Sequence, residues 1–156
     1  MRVMALDLGS RTIGVAVSDV TGIIANGVET IHRTSPERDF SRLAALIREY
    51  EVAEIVLGYP KNMNGTIGER AKLSEAFAEE LRTRFSAVSV TLWDERLSTV
   101  AAERVLLDAD LRRKKRRKVI DMMAAVVILQ NYLDSRSRVR GSGIYDTGDF
   151  GGKKFE

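Results

Sequence analysis

Residues 2–8 read Arg-Val-Met-Ala-Leu-Asp-Leu, an apolar run broken only by Asp7. A continuous apolar run, unlike an alternating one, predicts a strand covered on both faces. Gly9-Ser10-Arg11 supplies a turn, and Ile13–Ser18 reads as a second strand in a hairpin with the first. Ile23–Ile31 predicts a third strand, less regular and interrupted at Asn26-Gly27. Ser35-Pro36-Glu37 then opens a helix whose apolar stripe, Phe40, Leu43, Leu46 and Ile47, runs to about Tyr50. Ile55–Leu57 is a short strand stopped by Gly58-Tyr59-Pro60, and the loop 61–68 leads to an amphipathic helix with Leu73, Phe77 and Leu81 on one face. Val88–Trp93 gives a fifth strand, followed by Asp94-Glu95-Arg96. Ser98 or Thr99 caps a short helix to about Leu107, the segment 108–118 turns polar and basic, and Ile120–Leu133 forms a last helix. The order β-β-β-α-β-α-β-α-α implies an α/β fold, a mixed sheet with helices on its faces. One domain is expected over residues 1–135, with a Gly-rich, disordered tail at 136–156.

Composition narrows the chemistry. The chain has 156 residues, enough for a single core, and no cysteine, which removes disulfides, thiolate metal sites and cysteine nucleophiles. No apolar run approaches the ~20 residues of a membrane helix, and no charged-then-apolar leader opens the chain, so no membrane contact is expected. The formal charge is only +3, yet the isoelectric point near 9.3 and the clustered bases point to a polyanionic partner.

Three acidic positions sit where apolar residues belong. Asp7 interrupts the first strand, Asp94-Glu95 follows the fifth, and Asp121 is the one polar residue between Val119 and Leu129. At helical spacing Asp121 shares a face with Ala124, Ala125, Ile128 and Tyr132, where the alanines leave room beside the carboxylate. Carboxylates gathered in a low-dielectric site repel one another, and a hard divalent cation neutralises them. With no cysteine and a single histidine the ligands are oxygens, which favours Mg²⁺ or Mn²⁺ over Zn²⁺. Such a site suits phosphodiester hydrolysis, a metal activating water and stabilising the leaving oxygen.

Four ordered blocks, ALDLGSRTIGVAVSD, GYPKNMNGTIGERA, WDERLST and IDMMAAVVILQNYL, resemble the signatures of the YqgF/RuvX family, over about residues 1–135. Its members are regarded as nucleases of pre-16S ribosomal RNA or as Holliday-junction resolvase-like proteins. The resemblance implies an RNase H-like fold: a five-stranded mixed sheet, its first three strands antiparallel, flanked by helices on both faces. It also implies a bacterial cytoplasmic protein that helps mature the 5′ end of 16S ribosomal RNA. Asp7, Glu95 and Asp121 match the family's acidic positions, as catalytic and metal-binding residues. Asp94 is the alternative to Glu95, which is preferred because it reaches farther from a strand two spacings away from Asp7. Two departures stand out. The related resolvases carry an acid at the end of the fourth strand, here Gly58-Tyr59-Pro60, and Asn64 stands where family members often have Asp.

Other residues surround these acids. Arg11 and Arg96 lie within a few positions of proposed ligands and are secondary candidates for a phosphate contact. Gly9, Asn64 and Gly65 fall in the family blocks at loops suited to an anion. Arg112, Arg113, Lys114, Lys115, Arg116, Arg117 and Lys118 form a run of seven bases just before the helix of Asp121, placed to hold a nucleic-acid backbone. The expected protein is a metal-dependent nuclease, a monomer or weak homodimer, acting on RNA in preference to branched DNA. The rival readings are a Holliday junction resolvase and a non-catalytic assembly factor.

Overall fold

The computed structural model describes residues 1–62, 64–95 and 122–137. Five strands, β1 (Arg2–Leu8), β2 (Thr12–Ser18), β3 (Ala25–His32), β4 (Val52–Tyr59) and β5 (Ser89–Asp94), form one sheet in the order β3-β2-β1-β4-β5. β1, β2 and β3 pair antiparallel, whereas β4 runs parallel to both β1 and β5. This is the mixed sheet expected from the sequence. α1 (Pro36–Tyr50) and α2 (Glu69–Arg84) cover one face, and a helix at 122–137 covers the other.

Alternation along β1 explains why its run is continuously apolar. Met4 and Leu6 enter the α1/α2 core with Leu43, Leu57 and Leu81, while Val3 and Ala5 enter the second core with Val56, Ala125, Ile128 and Leu129. α1 starts as its sequence predicts: Ser35 accepts a hydrogen bond from the Arg38 amide, Pro36 opens the first turn, and Glu37 and Asp39 lie near the positive end of the helix dipole.

Several boundaries move, each for an identifiable physical reason. β3 begins at Ala25 instead of Ile23, because the amides of Ile23 and Ile24 donate to the Asp19 carboxylate at 2.9 and 3.1 Å rather than to a neighbouring strand. Together with the Thr21 hydroxyl, the strongest contributor, those amides hold the Asp19 carboxyl down to about 2. Asn26-Gly27 lies within β3, and the register slips by one residue between the Val15 and Ala16 pairs. β4 extends to Val52–Tyr59 because it is hydrogen-bonded on both edges; its one acid, Glu54, accepts from Thr91, Tyr132 and Arg136.

On α2 the buried stripe is Ala71, Ser74, Phe77, Ala78 and Leu81, and Leu73 is 58% exposed. Spacings of four drift around a helix, which leaves Leu73 about a quarter turn from the centre of that stripe. The last helix runs through residue 137, two positions into the expected tail, where Arg136 pairs with Glu54 at 3.1 Å. The expected short helix from Ser98 or Thr99 to Leu107, the basic segment 108–118 and the tail beyond residue 137 lie outside the described residues. Among the described residues no helix is long and apolar enough to cross a membrane.

Glu51 ends α1 in the left-handed region, at φ 52°, the one non-glycine residue with positive φ among those described. A side chain there costs roughly 1 kcal/mol, partly offset by the unfolded-state entropy glycine adds. Glu51→Gly is expected to stabilise the protein by about 0.5 kcal/mol, raising Tm by about 1–2 °C; a lower Tm in a thermal melt would contradict this account of the helix end.

Candidate active site

The carboxyl end of β1 carries Asp7, only 4% exposed. Asp7 pairs with Gly14 on β2, which pairs with Thr30 on β3. On its other side the β1–β4 register ends at Leu6 opposite Leu57, so the next step sets Gly58 beside Asp7, and Gly58 pairs with Trp93 on β5. One row therefore crosses the whole sheet on the side of the 122–137 helix: Thr30, Gly14, Asp7, Gly58, Trp93. Both positions flanking the buried carboxylate are glycine. Neighbouring strands lie about 4.8 Å apart, so side chains at those two positions would crowd the Asp7 carboxyl group.

Glu95 uses that space. A Cβ built on Gly58 would lie 2.5 Å from Glu95 Oε2 and 2.9 Å from Ile128 Cδ1. Real Cβ atoms do not approach other atoms so closely, so the Glu95 carboxylate lies over the end of β4 in the volume a side chain there would fill. The departure noted in the sequence thus has a geometric counterpart. Where an acid would end the fourth strand there is a glycine, and the carboxylate above it comes from the residue after β5.

Asp94 and Glu95 separate by the same alternation. Trp93 belongs to the core under the 122–137 helix, so Glu95 shares that side with Asp7, and Asp94 turns to the opposite face. Asp121 and Arg96 lie outside the described residues, as does the basic run 112–118. Among the described residues no group of three or more acidic or histidine side chains converges to hold a metal ion. Of the three sequence-predicted acids, Asp7 lies on β1 and the Glu95 carboxylate lies over the neighbouring Gly58 of β4.

The remaining candidates distribute as follows. Gly9 opens the β1–β2 turn, its amide donating to Thr12 O at 2.8 Å, and a Cβ there would meet the same oxygen at 3.0 Å. Arg11 is exposed at that turn. Asn64 is occupied within its own loop, its Oδ1 accepting from the Thr66 amide and hydroxyl, and Gly65 takes a φ of +90° that favours glycine. Trp93 packs edge-on against Tyr132, with its Nε1 buried and without a hydrogen-bond partner among the described residues. The Tyr59 hydroxyl donates to Glu75, which raises its pKa, and Lys61 lies over its ring. His32 is exposed at the end of β3, away from the acids.

Two arginines not singled out above approach the same end of β1 from the other face. Arg33 donates to Gly9 O at 2.6 Å, and Arg70 donates to Leu8 O at 3.2 Å. One signal of Arg70 was available in the sequence: a base in the first turn of a helix, the end where the dipole disfavours it.

Residues 1–135 match the family described as "RuvX: Holliday junction resolvase". The chain is 61% identical over 138 residues to a protein of Geobacillus kaustophilus named "Putative pre-16S rRNA nuclease", covering 87% of this chain and 99% of that one. Proteins of the same name from Bacillus subtilis and Thermoanaerobacter pseudethanolicus are 56% and 55% identical over 137 residues, covering 86% and 87% of this chain and 99% and 98% of theirs. Among solved structures, Thermus thermophilus RuvC in complex with a Holliday junction superposes with a TM-score of 0.56 at 15% identity, covering 88% of this chain and 96% of that one. A second RuvC structure from the same organism gives 0.53 at 13% identity, covering 88% and 97%. At that identity the likeness speaks to the fold, which is RNase H-like, while the family match over residues 1–135 places this chain in the RuvX family.

Proposed function

We propose that the chain is a divalent-metal-dependent nuclease that hydrolyses phosphodiester bonds in structured RNA, with precursor 16S ribosomal RNA as its substrate. The observation that carries this reading is the Glu95 carboxylate lying over Gly58, the β4 position next to the buried Asp7 at the carboxyl end of the central strands. The names of the relatives supply the substrate class.

The donor set suits a hard cation. A carboxylate at Asp7 and another over the neighbouring Gly58 position raise each other's energy, a repulsion that a divalent cation would relieve. Asp7 and Glu95 would hold Mg²⁺ or Mn²⁺, with Asp121 the third ligand on the family pattern. When bound, the ion supplies Lewis acidity and an activated water for attack on phosphorus. Asp7, buried on a strand bonded on both edges, keeps its carboxylate at a fixed point. Glu95, one residue beyond β5, brings its carboxylate over Gly58 of β4. The bases at 112–118 would hold the nucleic-acid backbone beside this pair, giving affinity without sequence preference.

Asp7→Asn is expected to lower cleavage of precursor 16S ribosomal RNA at least a hundredfold in Mg²⁺ or Mn²⁺, leaving Tm and RNA binding nearly unchanged. Wild-type rates in that variant would remove Asp7 from the chemistry. A parallel assay on a four-way DNA junction reads substrate class; faster junction cleavage would favour the resolvase reading. No cleavage of either substrate by the unaltered protein would favour an assembly role.

Gly58→Ala tests the arrangement from the other side. The added methyl falls on the Glu95 carboxylate and on Ile128, and the carboxylate, at the end of a flexible side chain, gives way first. Cleavage is expected to fall about tenfold or more with a loss of stability near 1–2 kcal/mol. Full activity would mean that the position of Glu95 is immaterial.

Replacing 112–118 by Ser and Gln should weaken RNA binding and flatten its dependence on salt. The slope of log K against log salt is expected to drop by about 0.7–0.9 for each phosphate that is no longer neutralised. An unchanged slope would leave the run without a role in binding.

A further inference from the structure

On the face of the sheet opposite the acids, a cavity of about 620 Å³ opens between the β1–β2 turn and the two helices α1 and α2. That size is in the range of sites that hold small organic ligands. Its walls are mixed: Leu8 and Gly9 from the β1–β2 connection, Leu73 and Phe77 from α2, and the two cationic residues Arg33 and Arg70. Leu8 and Gly9 directly follow Asp7, so the cavity and the acidic pair lie on two sides of one strand end.

Resting on the nuclease reading above, we propose that this cavity receives the nucleotide next to the cleaved phosphodiester, with its phosphate on Arg70 and its base against Leu73. Three observations support this occupant. Arg70 is held by the carbonyl of Leu8, and among the described residues it has no carboxylate within ion-pairing distance, whereas Arg33 already pairs with Asp39 at 3.6 Å. It sits in the first turn of α2, so helix stability does not explain it. Leu73 is 58% exposed at the cavity wall, an apolar surface that the core does not use. An uncompensated cation beside an apolar wall matches a nucleotide, which offers a phosphate at one end and a flat, weakly polar ring at the other. The other acid at the rim, Glu80, is engaged by Arg84 at 3.0 Å and leaves Arg70 available.

The test is binding of a short fluorescent single-stranded RNA in EDTA, where no cleavage occurs, followed by anisotropy across a salt series. Arg70→Gln is expected to weaken binding about tenfold and to lower the salt slope by about one, and Arg70→Lys to restore most of both. Leu73→Glu, at an exposed position, should weaken binding several-fold without lowering Tm. Affinities within twofold of wild type and an unchanged slope in both Arg70→Gln and Leu73→Glu would overturn the proposal, as would failure of the unaltered protein to bind the RNA. Cleavage of precursor RNA separates this from the nuclease reading. Wild-type KM and kcat in Arg70→Gln refute the cavity and leave the nuclease standing. Binding that depends on Arg70 in a protein that never cleaves refutes the nuclease and leaves the cavity.

Discussion

A carboxylate can sit on the central strand of a doubly covered sheet only if its lateral neighbours leave it room. At Asp7 both flanking positions, Gly14 and Gly58, lack a side chain, and the volume above Gly58 is taken by the Glu95 carboxylate. A side chain at either position would press carbon against the carboxylate in a low-dielectric site, where displacing its polar surroundings is costly. Everything distinctive about this edge of the sheet follows from those two glycines. They weaken the strands that carry them, since glycine in a strand lacks packing and has more unfolded-state entropy to lose. The fold tolerates this because both strands are hydrogen-bonded on two edges and their apolar positions one or two residues away are fully buried.

Gly58 also links two departures from a simpler design. An acid at the end of β4 would stand next to Asp7 with no need of a long reach. With glycine there, an acid from beyond β5 has to cross a strand, and only a Glu on the matching side of its strand can do so. Glu95 has both the length and the parity; Asp94, one residue earlier, has neither. The choice between two adjacent acids reduces to the period of two in a strand.

Much of the sheet was legible in the sequence because the signals were local. The Asp7 interruption, the Gly9-Ser10-Arg11 turn and the cap at Ser35-Pro36 each involve a few consecutive residues and each determines its element. The misplacements came from a short-range side-chain capture, from pairing with neighbouring strands, or from geometry that a spacing rule only approximates. The start of β3 depends on how Asp19 captures two amides, and the length of β4 depends on strands on either side of it. Leu73 obeys the i, i+4 rule with Phe77 yet faces out, because the stripe on α2 follows its packing partners on β4 and β5 rather than its own most apolar line. The same reason hid Gly58: a glycine before Tyr-Pro reads as a strand end, and only the register shows which side chain it makes room for.

The end of β1 is reached from both faces of the sheet, and the two faces offer different chemistry. On one side, beneath the 122–137 helix, lie the buried Asp7 and, over Gly58, the Glu95 carboxylate. On the other, Arg33 and Arg70 are tied to the carbonyls of Gly9 and Leu8. Those two hydrogen bonds place positive charge within a residue or two of the buried carboxylate along the chain, while the sheet itself stands between the guanidinium groups and the acids. A polyanion lying across this edge would meet cations on one side and, with a metal held by the acids, a second positive centre on the other. The thickness of the sheet keeps those charges apart, and a strand end is where a single phosphate chain can touch both.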